Sequence, residues 1–158
     1  MSAAISAAMP REAPEARFVT VRLGPHWIGL PIAQVQDVFV PQAIAPVPLA
    51  PPEVAGLINL RGRVVTAICV RRLMGLPAAD PGSCVAIGVE RRKDSYALIV
   101  DEVGDVVTLG ADAFEPTPVH LDASLARFCE GVYRLDDGLL VIIRISALVD
   151  DADEALAA

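Results

Sequence analysis

No apolar stretch of this chain runs far before a proline, a glycine or a charge interrupts it, and that spacing excludes most folds. None reaches the ~18 residues that a membrane-spanning helix needs. From Phe18 onward the pattern reads as short strands between turn signals. Phe18 to Leu23 alternates, with Val19, Val21 and Leu23 on one face and Thr20 and Arg22 on the other. Gly24-Pro25 turns the chain, and strands are expected over Trp27 to Ile32 and Gln34 to Val40. Pro41, Pro46, Pro48, Pro51 and Pro52 make the next segment an extended connection, unable to be a helix or a central strand. A hairpin follows around residues 56 to 65, then a short helix over Val70 to Leu76 ended by Gly75 and Pro77. Two strands, Ser83 to Val89 and Tyr96 to Val100, flank the charged turn Glu90 to Asp94. Asp101 to Leu109 continues as a bent strand with a bulge at Gly104, and residues 111 to 126 read as irregular. Phe128 to Leu135 and Leu139 to Ile145 form a last hairpin around Asp136-Asp137-Gly138. Ser146 is placed to cap a final helix reaching Leu156. Nine or ten short strands and one helix are best buried by closed or nearly closed barrels, and two small barrels suit the spacing better than one large one.

Composition narrows the function. The 158 residues suit about one domain, with 54% hydrophobic but only 4% aromatic residues, so aliphatic side chains build the core. The mean hydropathy of +0.50 leaves apolar surface for association in a chain expected to be soluble. A net charge of −7 argues against nucleic acid, which rewards a basic face. Arg71-Arg72 and Arg91-Arg92-Lys93 are too short to make a basic patch. Cys69, Cys84 and Cys129 match no metal or redox spacing and read as buried reduced thiols, in keeping with a cytoplasmic protein. His26 and His120 lie in Pro-flanked turns, without a nucleophile nearby, and read as surface residues. Trp27 is expected in a barrel core or between barrels. No catalytic set, cofactor site or metal site is expected.

The segment Gly56-Leu57-Ile58-Asn59-Leu60-Arg61-Gly62-Arg63-Val64-Val65 joins two apolar runs through an Arg-Gly-Arg turn. Buried strands with a wet turn between them present guanidinium groups on a rigid tip. Arginine offers there a planar fork of donors suited to carboxylates or carbonyls of a partner. Gly62 points to a turn needing positive φ. Asp37 interrupts an apolar strand, either as a wet-face residue or as a partner for Arg61 or for a bound protein.

With these motifs in order, the chain resembles the CheW family of chemotaxis coupling proteins from Phe18 to about Leu148. The residues carrying the resemblance are Phe18-Val19, Val35-Gln36-Asp37-Val38, Pro48, Gly56 through Gly62, Leu98 through Val103, and Glu130-Gly131-Val132. The resemblance implies a mainly β fold of two five-stranded SH3-like barrels packed around a shared apolar core, with a short C-terminal helix. It divides the chain into a flexible N-terminal tail (1–17), the domain itself (18–150) and an acidic C-terminal end (151–158). It further implies a non-enzymatic, cytoplasmic adaptor, recruited to membrane-associated receptor arrays, that couples methyl-accepting chemoreceptors to a CheA-type histidine kinase in a two-component system. Carried over by position, Asp37, Gly56, Asn59, Arg61 and Gly62 would contact the receptor. Val19, Ile32 and Val35 would form a first-barrel surface docking the kinase's regulatory domain. Cys69 and Arg144 stand where the family more often has carboxylate or amide side chains.

Two other readings stay open at the level of sequence. The same fold could serve as an adaptor or competitor in a non-motility kinase pathway. A small-molecule-binding or hydrolytic barrel would instead use Cys84, Cys129 or His120.

Overall fold

The alternation read from Phe18 to Leu23 turns Val19, Val21 and Leu23 toward a core shared by two barrels and Phe18 into the interior of one of them. The computed structural model describes residues 15–77, 84–136 and 138–157. Among them are ten strands: β1 (Glu15–Leu23), β2 (His26–Pro31), β3 (Val35–Phe39), β4 (Val54–Leu60), β5 (Arg63–Cys69), β6 (Val85–Arg91), β7 (Asp94–Val100), β8 (Glu102–Gly110), β9 (Cys129–Leu135) and β10 (Gly138–Ile143). Helices α1 (Val70–Leu73), α2 (Ala123–Ala126) and α3 (Ile145–Ala157) complete the set. The strands form two five-stranded sheets, β8-β1-β2-β10-β9 and β3-β6-β7-β5-β4, called here the first and second barrels.

The two sheets repeat one plan. Read in the orders given, each pairs antiparallel, antiparallel, parallel, antiparallel. Each register slips at the same place, between Val35 and Asp37 in β3 and opposite Val103 and Val106 in β8. Each barrel closes by one antiparallel bridge, Ala45 with Leu57 and Glu115 with Val132. The second barrel is continuous in the chain, whereas the first is assembled from the two ends.

The bridges explain two glycines. Ala45 and Leu57 exchange N–H···O bonds of 2.9 and 2.8 Å, and Glu115 and Val132 bonds of 2.8 and 2.9 Å. A methyl on Gly56 would lie 2.3 Å from the Ala45 carbonyl oxygen, and one on Gly131 would lie 2.6 Å from that of Glu115. Only a residue without Cβ lets the crossing segment approach so closely.

The largest core lies between the barrels. Val19, Val21, Leu23 and Ile28 from the first sheet meet Ile68, Ile87, Val89, Leu98 and Val100 from the second, with Leu148 and Val149 of α3. Each barrel keeps a smaller interior of its own, around Ile58, Val65, Ala67 and Ala97 in the second and around Phe18, Tyr133, Leu140 and Ile142 in the first. Burying one such Leu, Ile or Phe contributes about 1.5–3 kcal/mol, so the shared core is what makes two small barrels one body.

Polar contacts fix the remaining joints. Asp101 stands between β7 and β8, where the chain passes from one barrel to the other. Its Oδ2 accepts from Gly24 N at 2.8 Å and from Arg71 Nη1 at 2.5 Å, and Arg71 Nε donates to the Pro77 carbonyl at 2.7 Å. Helix α3 buries Ile145, Leu148, Val149 and Ala152 at helical spacing. Carboxylates in its later turns oppose the helix dipole, and here they bind cations or a phenol instead. Asp150 takes a bidentate contact from Arg91 at 3.1 and 2.8 Å, Asp151 pairs with Arg127 at 2.7 Å, and Asp153 accepts from Tyr96 at 2.8 Å. The Arg91 hydrogen bond holds the Asp150 carboxyl below the usual carboxylate range.

Several boundaries differ from the sequence reading. Strand β1 starts at Glu15, so the last part of the expected tail belongs to the sheet, while residues 1–14 lie outside the described residues. Helix α3 begins at Ile145, which puts Ser146 inside it rather than at its cap. The expected acidic end is the second half of that helix, held to the body by its ion pairs. The Glu90 to Asp94 turn contracts to Arg92 and Lys93, both with left-handed φ of 54° and 71°. Residues 111 to 126 are mostly irregular, though Asp122 caps the one-turn helix α2 by accepting from Ser124 N at 2.9 Å.

Candidate functional site

Leu60 pairs with Arg63 across β4 and β5, so the hairpin turn contains two residues rather than the three expected. Arg61 and Gly62 have φ of 54° and 83°, the left-handed pair of a tight hairpin turn. Glycine adopts this freely, whereas arginine is strained there by roughly 1–2 kcal/mol. Asn59 offsets part of that strain, its Oδ1 accepting from Gly62 N at 3.0 Å.

So held, Arg61 extends toward β3, and its Nη2 lies 3.0 Å from Asp37 Oδ2. The two partners are unequally exposed, at 78% for the Arg61 side chain and 22% for Asp37. Asp37 Oδ1 also accepts from Val38 N at 3.0 Å. A pair this open to water is worth only ~0–1 kcal/mol. Its consequence is geometric: the carboxylate orients a guanidinium whose remaining donors stay available to a partner.

Behind the pair lies a shallow cleft of about 140 Å³, lined among others by Gln36, Leu60, Arg63, Val65 and Tyr96. Burial, followed by the hydrogen bond to Asp153, pushes the Tyr96 phenol up to about 12. Among the described residues no group of three or more His, Cys, Asp or Glu side chains could hold a metal ion.

The residues named from sequence do not all meet here. Asp37, Asn59, Arg61 and Gly62 converge on the hairpin tip, Asn59 as the brace of the turn. Gly56 is buried and belongs to barrel closure, so it offers no contact surface. Val19 is 4% exposed and faces the shared core, which corrects its expected place on an open surface. The cause is the β1 alternation itself, since the face carrying Val21 and Leu23 packs against the other barrel. Ile32 and Val35 are half-buried, in the one-turn 3-10 segment Ile32–Gln34 and in β3 of the second barrel. The three aliphatics therefore do not form one first-barrel patch.

Other expectations also moved. Trp27 is 40% exposed at the mouth of the first barrel instead of buried. Cys129 is buried, while Cys69 and Cys84 are half-buried free thiols. His120 is exposed and His26 is half-buried. The sequence reading missed Asp105, although a signal was present. Val35-Gln36-Asp37-Val38 recurs as Val103-Gly104-Asp105-Val106, at the same bulge of the other barrel.

The comparisons with known proteins agree with this architecture. The chain is 28% identical over 142 residues to a probable chemotaxis protein CheW of Rhizobium etli, covering 89% of this chain and 91% of that protein. It is 29% identical over 123 residues to the chemotaxis protein CheW of Bacillus subtilis, covering 77% and 79%. The crystal structure of the scaffolding protein TtCheW from Thermoanaerobacter tengcongensis superimposes with a TM-score of 0.75 at 28% identity, over 85% of this chain and 92% of that one. The sequence pattern of the CheW-like domain matches residues 17–153, nearly everything from β1 to α3, and the chain belongs to the CheW-like domain family.

Proposed function

We propose that this protein is a non-enzymatic, cytoplasmic adaptor that couples methyl-accepting chemoreceptors to a CheA-type histidine kinase in chemotaxis signalling. The observation that carries the reading is the Arg61 guanidinium, held out on a braced turn and aimed by Asp37. A catalytic site needs converging reactive groups, whereas this tip offers fixed donors and a carboxylate, the equipment of recognition. Asp37 and Arg61 form the receptor contact, with Asn59 and Gly62 setting its geometry. Ile32 and Val35 supply half-buried apolar area for the kinase's regulatory domain, and Val19 supports them from within the core.

The deciding experiment reconstitutes receptor, kinase and this protein and reads kinase autophosphorylation with and without it. Coupling requires a receptor-dependent rise that needs the protein. No binding to the kinase's C-terminal regulatory domain at about tens of micromolar would overturn the proposal.

A further inference from the structure

The mouth of the first barrel is the counterpart of the Asp37–Arg61 site with its charge altered. The repeated strand plan puts Asp105 where Asp37 stands, Leu135 where Leu60 stands and Leu140 where Val65 stands. In the second barrel the carboxylate meets an arginine from its own hairpin. The equivalent hairpin of the first barrel carries Asp136 at the place of Arg61, because Leu135 and Gly138 close it as Leu60 and Arg63 close the other. Asp105 is exposed, and neither it nor Asp136 takes part in an ion pair among the described residues.

The cleft is also larger, about 290 Å³ against about 140 Å³, and its aromatic wall is Trp27 instead of Tyr96. Trp27 takes the position held by Ser95 in the second barrel. Gly104 makes room for it: a methyl there would come within 3.2 Å of the indole and 2.6 Å of Thr20 Oγ1. Thr20 Oγ1 in turn donates to the Asp105 carbonyl at 2.8 Å, pinning the bulged strand. The result is a cleft lined by Trp27, Leu135, Leu139 and Leu140 together with Asp105, whose carboxylate makes no ion pair among the described residues.

An aliphatic stem ending in a cation is the side chain complementary to such a cleft. Arginine fits better than lysine, since a planar guanidinium stacks on an indole while forking onto a carboxylate. The second barrel already meets the same carboxylate position with an arginine. We propose that the mouth of the first barrel takes up an arginine side chain from a partner protein, making between molecules the contact that Arg61 makes within one. The inference holds whether or not the coupling role does.

Trp27 is the one tryptophan of the chain, so its fluorescence and its indole N–H resonance report on this cleft alone. The probes are the peptide acetyl-Leu-Arg-Leu-amide and its analogue with uncharged citrulline in place of arginine. The arginine peptide is expected to shift both signals saturably in the millimolar range, and the citrulline peptide to bind about 10-fold more weakly. Asp105→Asn should lose the preference for arginine while keeping a wild-type amide spectrum, and Asp37→Asn should retain it. Asp136→Asn, at an exposed turn, gives a second reading and should weaken the arginine peptide about 3-fold. Equal response to the two peptides would overturn the proposal, as would shifts confined to the Arg61 hairpin or no shift of Trp27 at about 20 mM peptide.

Discussion

Arg61 reaches Asp37 at 3.0 Å from a backbone conformation that arginine disfavours. An exposed pair of this kind returns little stability, so Arg61 contributes little to folding at this turn. That separation of roles makes the site testable by a substitution that keeps the turn and removes the charge.

Arg61→Asn puts the preferred Asn-Gly pair into the hairpin. Stability should hold or rise by about 0.5 kcal/mol, read from the urea midpoint. Receptor affinity should fall at least about 10-fold while kinase binding changes less than about 2-fold. A parallel loss of both affinities would mean that the two contacts share one surface.

Gly56→Ala places a methyl against the Ala45 carbonyl and forces a side chain into φ of 147°. The expected cost is about 2–4 kcal/mol from strain and crowding together. Hydrogen exchange should speed up at the Ala45 and Leu57 amides, which make the closing bridge. An unchanged midpoint would show that the bridge does not bear on closure.

The Arg71–Asp101 pair is the most covered of the ion pairs among the described residues, with both side chains 16% exposed. Asp101 Oδ1 is buried with no hydrogen-bond partner among the described residues. Arg71→Met therefore strands a largely covered carboxylate, and a loss of about 2–3 kcal/mol is expected in denaturant unfolding. Adding Asp101→Asn should recover about half of it, because the buried charge is then gone. Additive losses in the double variant would refute the coupling.

Alkali offers a probe of the α3 anchor. The Tyr96 phenol is raised from 10.0 to about 12 in the folded chain, by burial first and by its bond to Asp153 second. Below pH 10 the phenol is neutral folded or unfolded, and the stabilisation is complete. Between pH 10 and about 12 only the unfolded chain ionises, so stability falls as pH rises through that window. Phenolate absorbance should show Tyr96 titrating late, and Tyr96→Phe should flatten this part of the stability curve. Tyr133, also raised by burial, remains as the second and last tyrosine signal.

Much of this protein was readable in one dimension. Strand positions followed from alternation, as at Val19, Val21 and Leu23, because successive side chains of a strand point to opposite sides wherever the strand lies. A turn at Gly62 with positive φ was readable because it needs no distant partner, although its length of two residues and the Asn59 brace came from the structure. The chain's own residues thus set the number of strands, the turns and the charged tip. The strands' neighbours settled that both faces of β1 would be buried, Val19 and Val21 against the other barrel and Phe18 inside its own, that Gly56 serves a closing bridge, and that Trp27 stands open at the mouth of the first barrel. The acidic stretch from Asp150 is anchored by Arg91 and Tyr96 of one hairpin and by Arg127, contacts that no local pattern announces. Periodicity records that a strand has two faces, whereas burial and charge pairing depend on which remote surface comes to lie against each of them.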